Sequence, residues 1–115
     1  MAIKGFPVYS SAMVREVIDQ KEAIAELCRV LGVERLFLFG SAVQGTRLAE
    51  VGDLDFLVRF KPLPPAEYAD NYFLLLEKLE DLFRAPVDLV EMDQIRNPYF
   101  REAVDESMVP VYETA

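Results

Sequence analysis

The sequence predicts an α/β (or α+β) fold, a single domain in which helices pack on a mixed, twisted β-sheet. Helical and extended patterns alternate along the chain, without repeats or low-complexity tracts, and such alternation is typical of layered folds. The length of 115 residues allows one core and no second one. The apolar fraction of 52% is that of a globular protein. We therefore expect residues 1–115 to form one domain.

The first predicted helix covers Ser11–Leu31, where apolar residues recur at helical spacing. Gly32 follows at the position of a C-terminal cap. Asp19 is an alternative start, because Asp19 with Glu22 three residues later has the form of a capping box. Cys28 falls among the apolar positions, so we expect it in the helix core.

Two more helices are predicted further along the chain. A long one runs from about Ala66 to Arg84, and a last one follows Asn97, a good N-cap, and Pro98, a first-turn proline. In the long helix, Phe73 and Leu74 widen the apolar surface beyond one face. The favoured interpretation is a sheet that wraps far around the helix. The alternative is a contact surface for a partner or a second copy.

Four short segments have the character of β-strands. Arg35–Phe39 is apolar and closed by glycine, and Asp53–Phe60 alternates with period two, with apolar residues on one face and two aspartates on the other. Pro86–Met92 is a third strand. The segment Val109–Glu113 is predicted at an edge of the sheet, because Pro110 lacks the N–H that a central strand needs.

The step from Gly40 to Ser41 ends the first strand. Ser41 is a good N-cap for the short segment that follows, so free backbone N–H groups and a hydroxyl would face the space beyond the strand. That arrangement is an anion site suited to the phosphates of a nucleotide. Plain helix capping explains the same two residues, so this step alone leaves both interpretations open.

Three aspartates point to metal chemistry. Asp53 and Asp55 project from one face of a strand with their roots about 7 Å apart, close enough to share a cation. Asp88 interrupts another apolar strand, where a charge needs a partner. A solvent-facing strand would explain an isolated pair, but three aspartates on two strands after a phosphate-type turn favour a two-metal transfer site. The chain has no histidine, so any metal would be held by carboxylates, which favours Mg²⁺ or Mn²⁺.

The charge balance restricts the partners. Twenty acidic residues against twelve basic ones give a net charge of −8, the wrong sign for direct binding of nucleic acid. The single cysteine makes no internal disulfide, and no apolar stretch approaches membrane-spanning length. We expect a cytoplasmic protein without a membrane contact.

These motifs in combination resemble the polymerase-beta-like nucleotidyltransferase superfamily. The chain has Gly-Ser after a strand, a glycine-containing loop, Asp-x-Asp at the head of an apolar strand and a third aspartate on a later strand. Its size resembles the minimal nucleotidyltransferase (MNT) branch, the partners of HEPN-domain proteins in toxin-antitoxin pairs. The resemblance implies the nucleotidyltransferase fold. It also implies that Gly40 and Ser41 hold nucleotide phosphates and that Asp53, Asp55 and Asp88 form a catalytic, metal-binding site.

By this resemblance, the chain moves AMP from ATP to a hydroxyl, a tyrosine of a cognate HEPN toxin, with two Mg²⁺ ions as cofactor, and so acts as an antitoxin. Two alternatives stay open: a module that masks its partner without catalysis, and a transferase acting on an aminoglycoside-like small molecule. A homo-oligomer is open as well. Gln44 departs from the family pattern, which has arginine there, so Arg47 or Arg59 would have to supply the missing charge.

Overall fold

The computed structural model describes residues 14–44 and 47–114, in which helices and strands alternate as the sequence predicts. In chain order the elements are α1 (Arg15–Asp19), α2 (Lys21–Leu31), β1 (Val33–Phe39), α3 (Ser41–Gln44), α4 (Leu48–Val51), β2 (Leu54–Phe60), α5 (Pro65–Phe83), β3 (Val87–Glu91), a 3-10 helix (Met92–Gln94), α6 (Pro98–Ser107) and β4 (Val109–Glu113). The predicted α/β fold class is confirmed.

The strands form one mixed sheet in the order β3-β2-β1-β4. Strand β1 is antiparallel to both β2 and β4, whereas β2 and β3 are parallel. The end of β1 and the beginnings of β2 and β3 therefore lie at the same end of the sheet. All four predicted strands are present, and β4 is an edge strand, as Pro110 required.

One face of the sheet is covered by α2 and α5 and holds most of the core. Side chains of β2 alternate, so that every second one points into this face. Phe56 is fully buried there, and its ring stacks on that of Phe83 with centroids 6.3 Å apart. The fully buried large side chains of this core are Val14, Val17, Ile24, Val33, Leu36, Leu38, Leu54, Phe56, Val58, Leu75 and Leu79.

The opposite face carries a smaller apolar cluster, covered in part by α6 and the 3-10 helix. Its buried members are Phe37, Phe39, Leu57, Met92 and Val104. Leu57 shares this face with Asp55, since both alternate with the core residues of β2. The second face therefore combines a small core with the predicted aspartates.

The first predicted helix differs from expectation, because it is divided at Gln20 into α1 and α2. Gln20 has φ −104° and ψ 15°, and the helix restarts with the amide of Ile24 donating to the Gln20 carbonyl at 2.9 Å. The prediction of a capping box at Asp19 is wrong. The Asp19 carboxylate instead accepts a hydrogen bond from Arg15 Nε at 3.2 Å. Residues 11–13 of the predicted helix lie outside the described residues.

The other predictions for this helix are confirmed. Gly32 is in the left-handed region, with φ 75°, and ends α2 as a C-cap. Cys28 is fully buried, and burial raises the pKa of its thiol to about 12. This thiol is therefore protonated at neutral pH and serves as a core residue.

Helix α5 has a larger exposed apolar surface than the favoured interpretation allowed. Leu75, Leu79 and Phe83 are buried as expected, but Phe73 is 65% exposed and Leu74 is 38% exposed. The expectation that the sheet wraps around these two residues is wrong, because α5 meets the sheet along one side only. Within residues 14–44 and 47–114, no helix is both long and apolar enough to cross a membrane.

Candidate active site

The turn after β1 is built around Gly40. This residue has φ 77°, a conformation that favours glycine, and its carbonyl accepts from the amide of Val43 at 3.1 Å. The short helix α3 begins at Ser41 itself. The predicted N-cap position therefore belongs to Gly40, one residue earlier, and Ser41 is an exposed residue of the first helical turn.

Two of the predicted aspartates face each other across neighbouring strands. In the parallel pair β2 and β3, Asp55 is the Cα partner of Asp88. Paired residues of adjacent strands place their side chains on the same face. Asp53 lies just before β2 rather than within it, since the strand begins at Leu54. The sheet register therefore brings together residues that are far apart in the sequence.

Gly40 approaches the Asp55 carboxylate closely. A Cβ atom added to Gly40 would lie 2.5 Å from Asp55 Oδ2, a distance that real Cβ atoms do not adopt. Any other residue at position 40 would have to displace this carboxylate. Glycine is therefore favoured at position 40 for two reasons: its φ is positive, and a Cβ atom there would collide with the Asp55 carboxylate.

The electrostatics agree with this proximity. Burial raises the pKa of the Asp55 carboxyl, and the negative charges of Asp53 and Asp88 raise it further. Asp55 is half-buried, whereas Asp53 and Asp88 are exposed. The site therefore holds unbalanced negative charge that a cation would neutralise.

The donors fit a hard divalent cation. Oxygen ligands from carboxylates are those that Mg²⁺ prefers, and the paired positions of Asp55 and Asp88 put their carboxylates on one face of the sheet. Among the residues that the structure describes, no three acidic or cysteine side chains already form a closed metal-binding set. Mg²⁺ is commonly held by one or two carboxylates together with substrate phosphates, so an incomplete set suits a site that the nucleotide completes.

Helix α1 braces the turn from the side. The amide of Val14 donates to the carbonyl of Ala42 at 3.0 Å, and Glu16 Oε1 accepts from the amide of Leu48 at 3.0 Å. That hydrogen bond lowers the pKa of Glu16, and Arg47 pairs with the same carboxylate at 3.5 Å. Both ends of the loop after β1 are therefore tied to one helix.

Arg47 and Arg59, the two arginines that could replace the missing turn arginine, lie in different parts of the structure. Arg59 Nη2 donates to Asp93 Oδ1 at 2.9 Å. It lies four residues beyond Asp55 on β2, about 13 Å away, so it is engaged at the other end of the strand. Arg47 is on the loop after α3 and is largely exposed. The side chain of Gln44 lies outside the described residues.

Two aromatic contacts beside the aspartates were not anticipated. The hydroxyl of Tyr72 donates to the carbonyl of Leu89, the residue after Asp88, at 2.5 Å. The ring of Phe100 packs against Phe39, the residue before Gly40. Both contacts join segments distant in sequence, so only the tertiary structure reveals them.

Comparison with known proteins identifies the family. The family model for the nucleotidyltransferase domain matches residues 20–111, which include β1, the Gly40 turn and all three aspartates. The chain belongs to this nucleotidyltransferase family. It is therefore a nucleotidyltransferase, and the resemblance drawn from the motifs is confirmed.

Individual relatives agree with this nucleotidyltransferase assignment. A Methanocaldococcus jannaschii protein named "putative protein adenylyltransferase" is 32% identical over 79 residues, covering 69% of this chain and 77% of that protein. A solved structure of a "putative minimal nucleotidyltransferase" is 30% identical with a TM-score of 0.60, covering 85% of this chain and 95% of the other.

A further structure shares the fold. It is described as a tri-AMPylated Shewanella oneidensis HEPN toxin in complex with its MNT antitoxin, and the match has 20% identity and a TM-score of 0.58. It covers 85% of this chain and 73% of the other. Similarity to structures of this kind confirms the nucleotidyltransferase fold of this chain.

Proposed function

We propose that this nucleotidyltransferase moves AMP from ATP to a hydroxyl of a protein acceptor, at Asp53, Asp55 and Asp88. The observation that carries the proposal is the pairing of Asp55 with Asp88 directly beside Gly40. A carboxylate pair and a glycine turn at one end of the sheet suit a metal-assisted transfer of a nucleotidyl group.

The turn would receive the phosphates. The backbone N–H groups at the start of α3 and the exposed Ser41 follow the end of β1, and Gly40 before them adjoins the Asp55 carboxylate. Such groups donate hydrogen bonds to phosphate oxygens without a side-chain charge. The bracing contacts of α1 keep the turn in place before the nucleotide binds, which lowers the entropy that binding costs.

Asp53, Asp55 and Asp88 would hold two Mg²⁺ ions together with the triphosphate. When bound, such ions neutralise the charge that develops on the α-phosphate and on the leaving pyrophosphate. Asp88 lies on β3, the outermost strand on that side of the sheet. We propose that the acceptor approaches the α-phosphate from the β3 side.

The transfer step is a substitution at the α-phosphorus. An oxygen lone pair of the acceptor hydroxyl forms the new P–O bond, and the bond to the oxygen that bridges the α- and β-phosphates breaks. Pyrophosphate leaves with that electron pair. Asp88 is the proposed acceptor of the hydroxyl proton, since its carboxylate is exposed and pairs with Asp55 across the two strands. The products are pyrophosphate and an AMP ester of the acceptor.

A tyrosine of a HEPN toxin is the proposed acceptor, so that the chain acts as its antitoxin. The M. jannaschii relative is named as a protein adenylyltransferase, and the Shewanella oneidensis complex contains an AMPylated HEPN toxin. The net charge of −8 suits a basic protein better than RNA. Masking of the same partner without catalysis is the competing function.

The test uses a HEPN protein encoded beside this chain and ATP labelled at the α-phosphate or, separately, at the γ-phosphate. We expect Mg²⁺-dependent label on the HEPN protein from α-labelled ATP only, and loss of the label when the acceptor tyrosine is changed to phenylalanine. Label from γ-labelled ATP would indicate kinase chemistry. Silencing of the toxin without any label would support masking instead.

A further inference from the structure

An aromatic wall, formed by Phe39 and Phe100, stands beside the aspartates. Phe39 is the last residue of β1 and the Cα partner of Asp55 in the antiparallel pair. Opposed residues of such strands share a face, with Cβ atoms about 4.5–5.5 Å apart. The rings of Phe39 and Phe100 meet edge to face, with centroids 6.0 Å apart and an interplanar angle of 77°. The wall therefore adjoins both Asp55 and Gly40.

The Phe100 ring is held in place by the start of α6. Pro98 is the first helical residue, and Asn97 Oδ1 accepts from the amides of Tyr99 at 2.9 Å and Phe100 at 3.2 Å. Phe39 is 7% exposed, whereas Phe100 is 41% exposed. The Phe100 ring thus contacts Phe39 of the sheet, while the residue keeps a substantial exposed surface.

We infer that Phe100 stacks on the base of the nucleoside triphosphate. This inference rests on the proposed function, which puts the phosphates at Gly40 and the aspartates. A nucleotide bound there extends its base several ångströms from the α-phosphate, and a wall without charged groups suits an uncharged aromatic base. Strand β3, from which the acceptor is proposed to approach, lies on the other side of Asp55 from this wall.

Stacking of this kind sets affinity without selecting one base. Every nucleobase has a π-face, and stacking on an aromatic side chain tolerates different bases. Phe100 should therefore contribute similarly to binding of ATP and GTP. It should contribute nothing to binding of inorganic tripolyphosphate, which carries the phosphates but no base.

The experiment measures equilibrium binding of ATP, GTP and tripolyphosphate, each with Mg²⁺. Phe100→Ala is expected to weaken the binding of ATP and GTP by about 5- to 150-fold and to leave tripolyphosphate binding unchanged. Phe100→Leu, which keeps an apolar contact with Phe39 but has no π-face, should lose as much, and Phe100→Trp should retain binding. Tyr99→Ala is the matched control, since this ring from the same turn is 82% exposed.

Three results would overturn the inference. The first is an equal loss for tripolyphosphate, the second is unchanged ATP binding in both Phe100→Ala and Phe100→Leu, and the third is an equal loss in Tyr99→Ala. Asp55→Asn distinguishes this failure from failure of the proposed function. If Asp55→Asn weakens Mg²⁺-dependent binding while the Phe100 variants do not, only the stacking is wrong. If Asp55→Asn changes no binding, the proposed site is wrong as well.

Discussion

The two faces of the sheet use the same strands for different purposes. On the face covered by α2 and α5, Leu54, Phe56 and Val58 of β2 are completely buried in the large core. On the opposite face, the alternating position holds Asp55, half-buried and beside two further carboxylates. One face holds the large core, whereas the other combines a smaller core with the aspartates of the proposed site. Substitutions on the two faces should therefore separate stability from activity.

The largest expected effect is on the aspartate face. Asp53→Asn or Asp55→Asn keeps the shape of the side chain and removes one ligand charge. The rate of AMP transfer should therefore fall by roughly 10²- to 10³-fold. The thermal melting curve should stay cooperative. Asp81→Asn, an exposed carboxylate on α5, is the control and should keep full transfer.

That comparison extends to antitoxin function. The doubly substituted Asp53→Asn/Asp55→Asn protein should no longer silence the proposed HEPN toxin in cells if inhibition depends on AMP transfer. Silencing as strong as that of the wild type would indicate inhibition by binding alone, and the enzymatic account of this function would be wrong.

The matching substitution on the helix-covered face is Phe56→Ala. It empties a fully buried position and removes the stack on Phe83, so it should lower the free energy of unfolding by about 3–5 kcal/mol. Denaturant titration measures the loss. Transfer per folded molecule should stay near that of the wild type, and a loss of transfer in protein that remains folded would argue against the division between the faces.

The substitution Phe73→Ser tests the exposed apolar surface of α5. Because the Phe73 side chain is 65% exposed, Phe73→Ser should change the free energy of unfolding by no more than about 0.5 kcal/mol. Sedimentation of the variant and its pull-down with the proposed HEPN toxin then show whether the exposed apolar patch is an interface, in which case association weakens. Unfolding of this variant would contradict the exposed position.

The smallest effect concerns stability and pH. Burial, and then the charges of Asp53 and Asp88, raise the pKa of Asp55 in the folded state, so ionised Asp55 destabilises the fold at neutral pH. This penalty shrinks as pH falls through the raised folded-state pKa and is absent below the unfolded-state value of about 3.9. Asp55→Asn should therefore be as stable as the wild type or slightly more stable at pH 7, with the difference shrinking in acid. A variant clearly less stable at pH 7 would contradict the repulsion.

Local signals in the sequence predicted most of the fold. The Asn97 cap and Pro98 fix the start of α6, Gly32 ends α2 through its positive φ, and Pro110 confines β4 to an edge. The break at Gln20 was missed because apolar spacing continues through it and no proline or glycine marks it.

The arrangement of the site depended on contacts that no local signal carries. The Asp-x-Asp spacing indicated that two carboxylates share a region, but the position of Asp88 opposite Asp55 follows from the register of two parallel strands. The exposure of Phe73 and the contact of Phe100 with Phe39 likewise depend on where whole helices pack on the sheet.

The most direct test of the aspartate site is thermal melting of the wild type and the Asp53→Asn/Asp55→Asn variant, with Mg²⁺ or Mn²⁺ and with ATP at millimolar concentrations. A ligand that binds only the folded state raises the melting temperature. We expect the metal to raise that of the wild type, ATP to add to the rise, EDTA to reverse it, and the variant to respond little. A wild-type curve indifferent to metal and ATP, or an equal rise in the variant, would contradict the account.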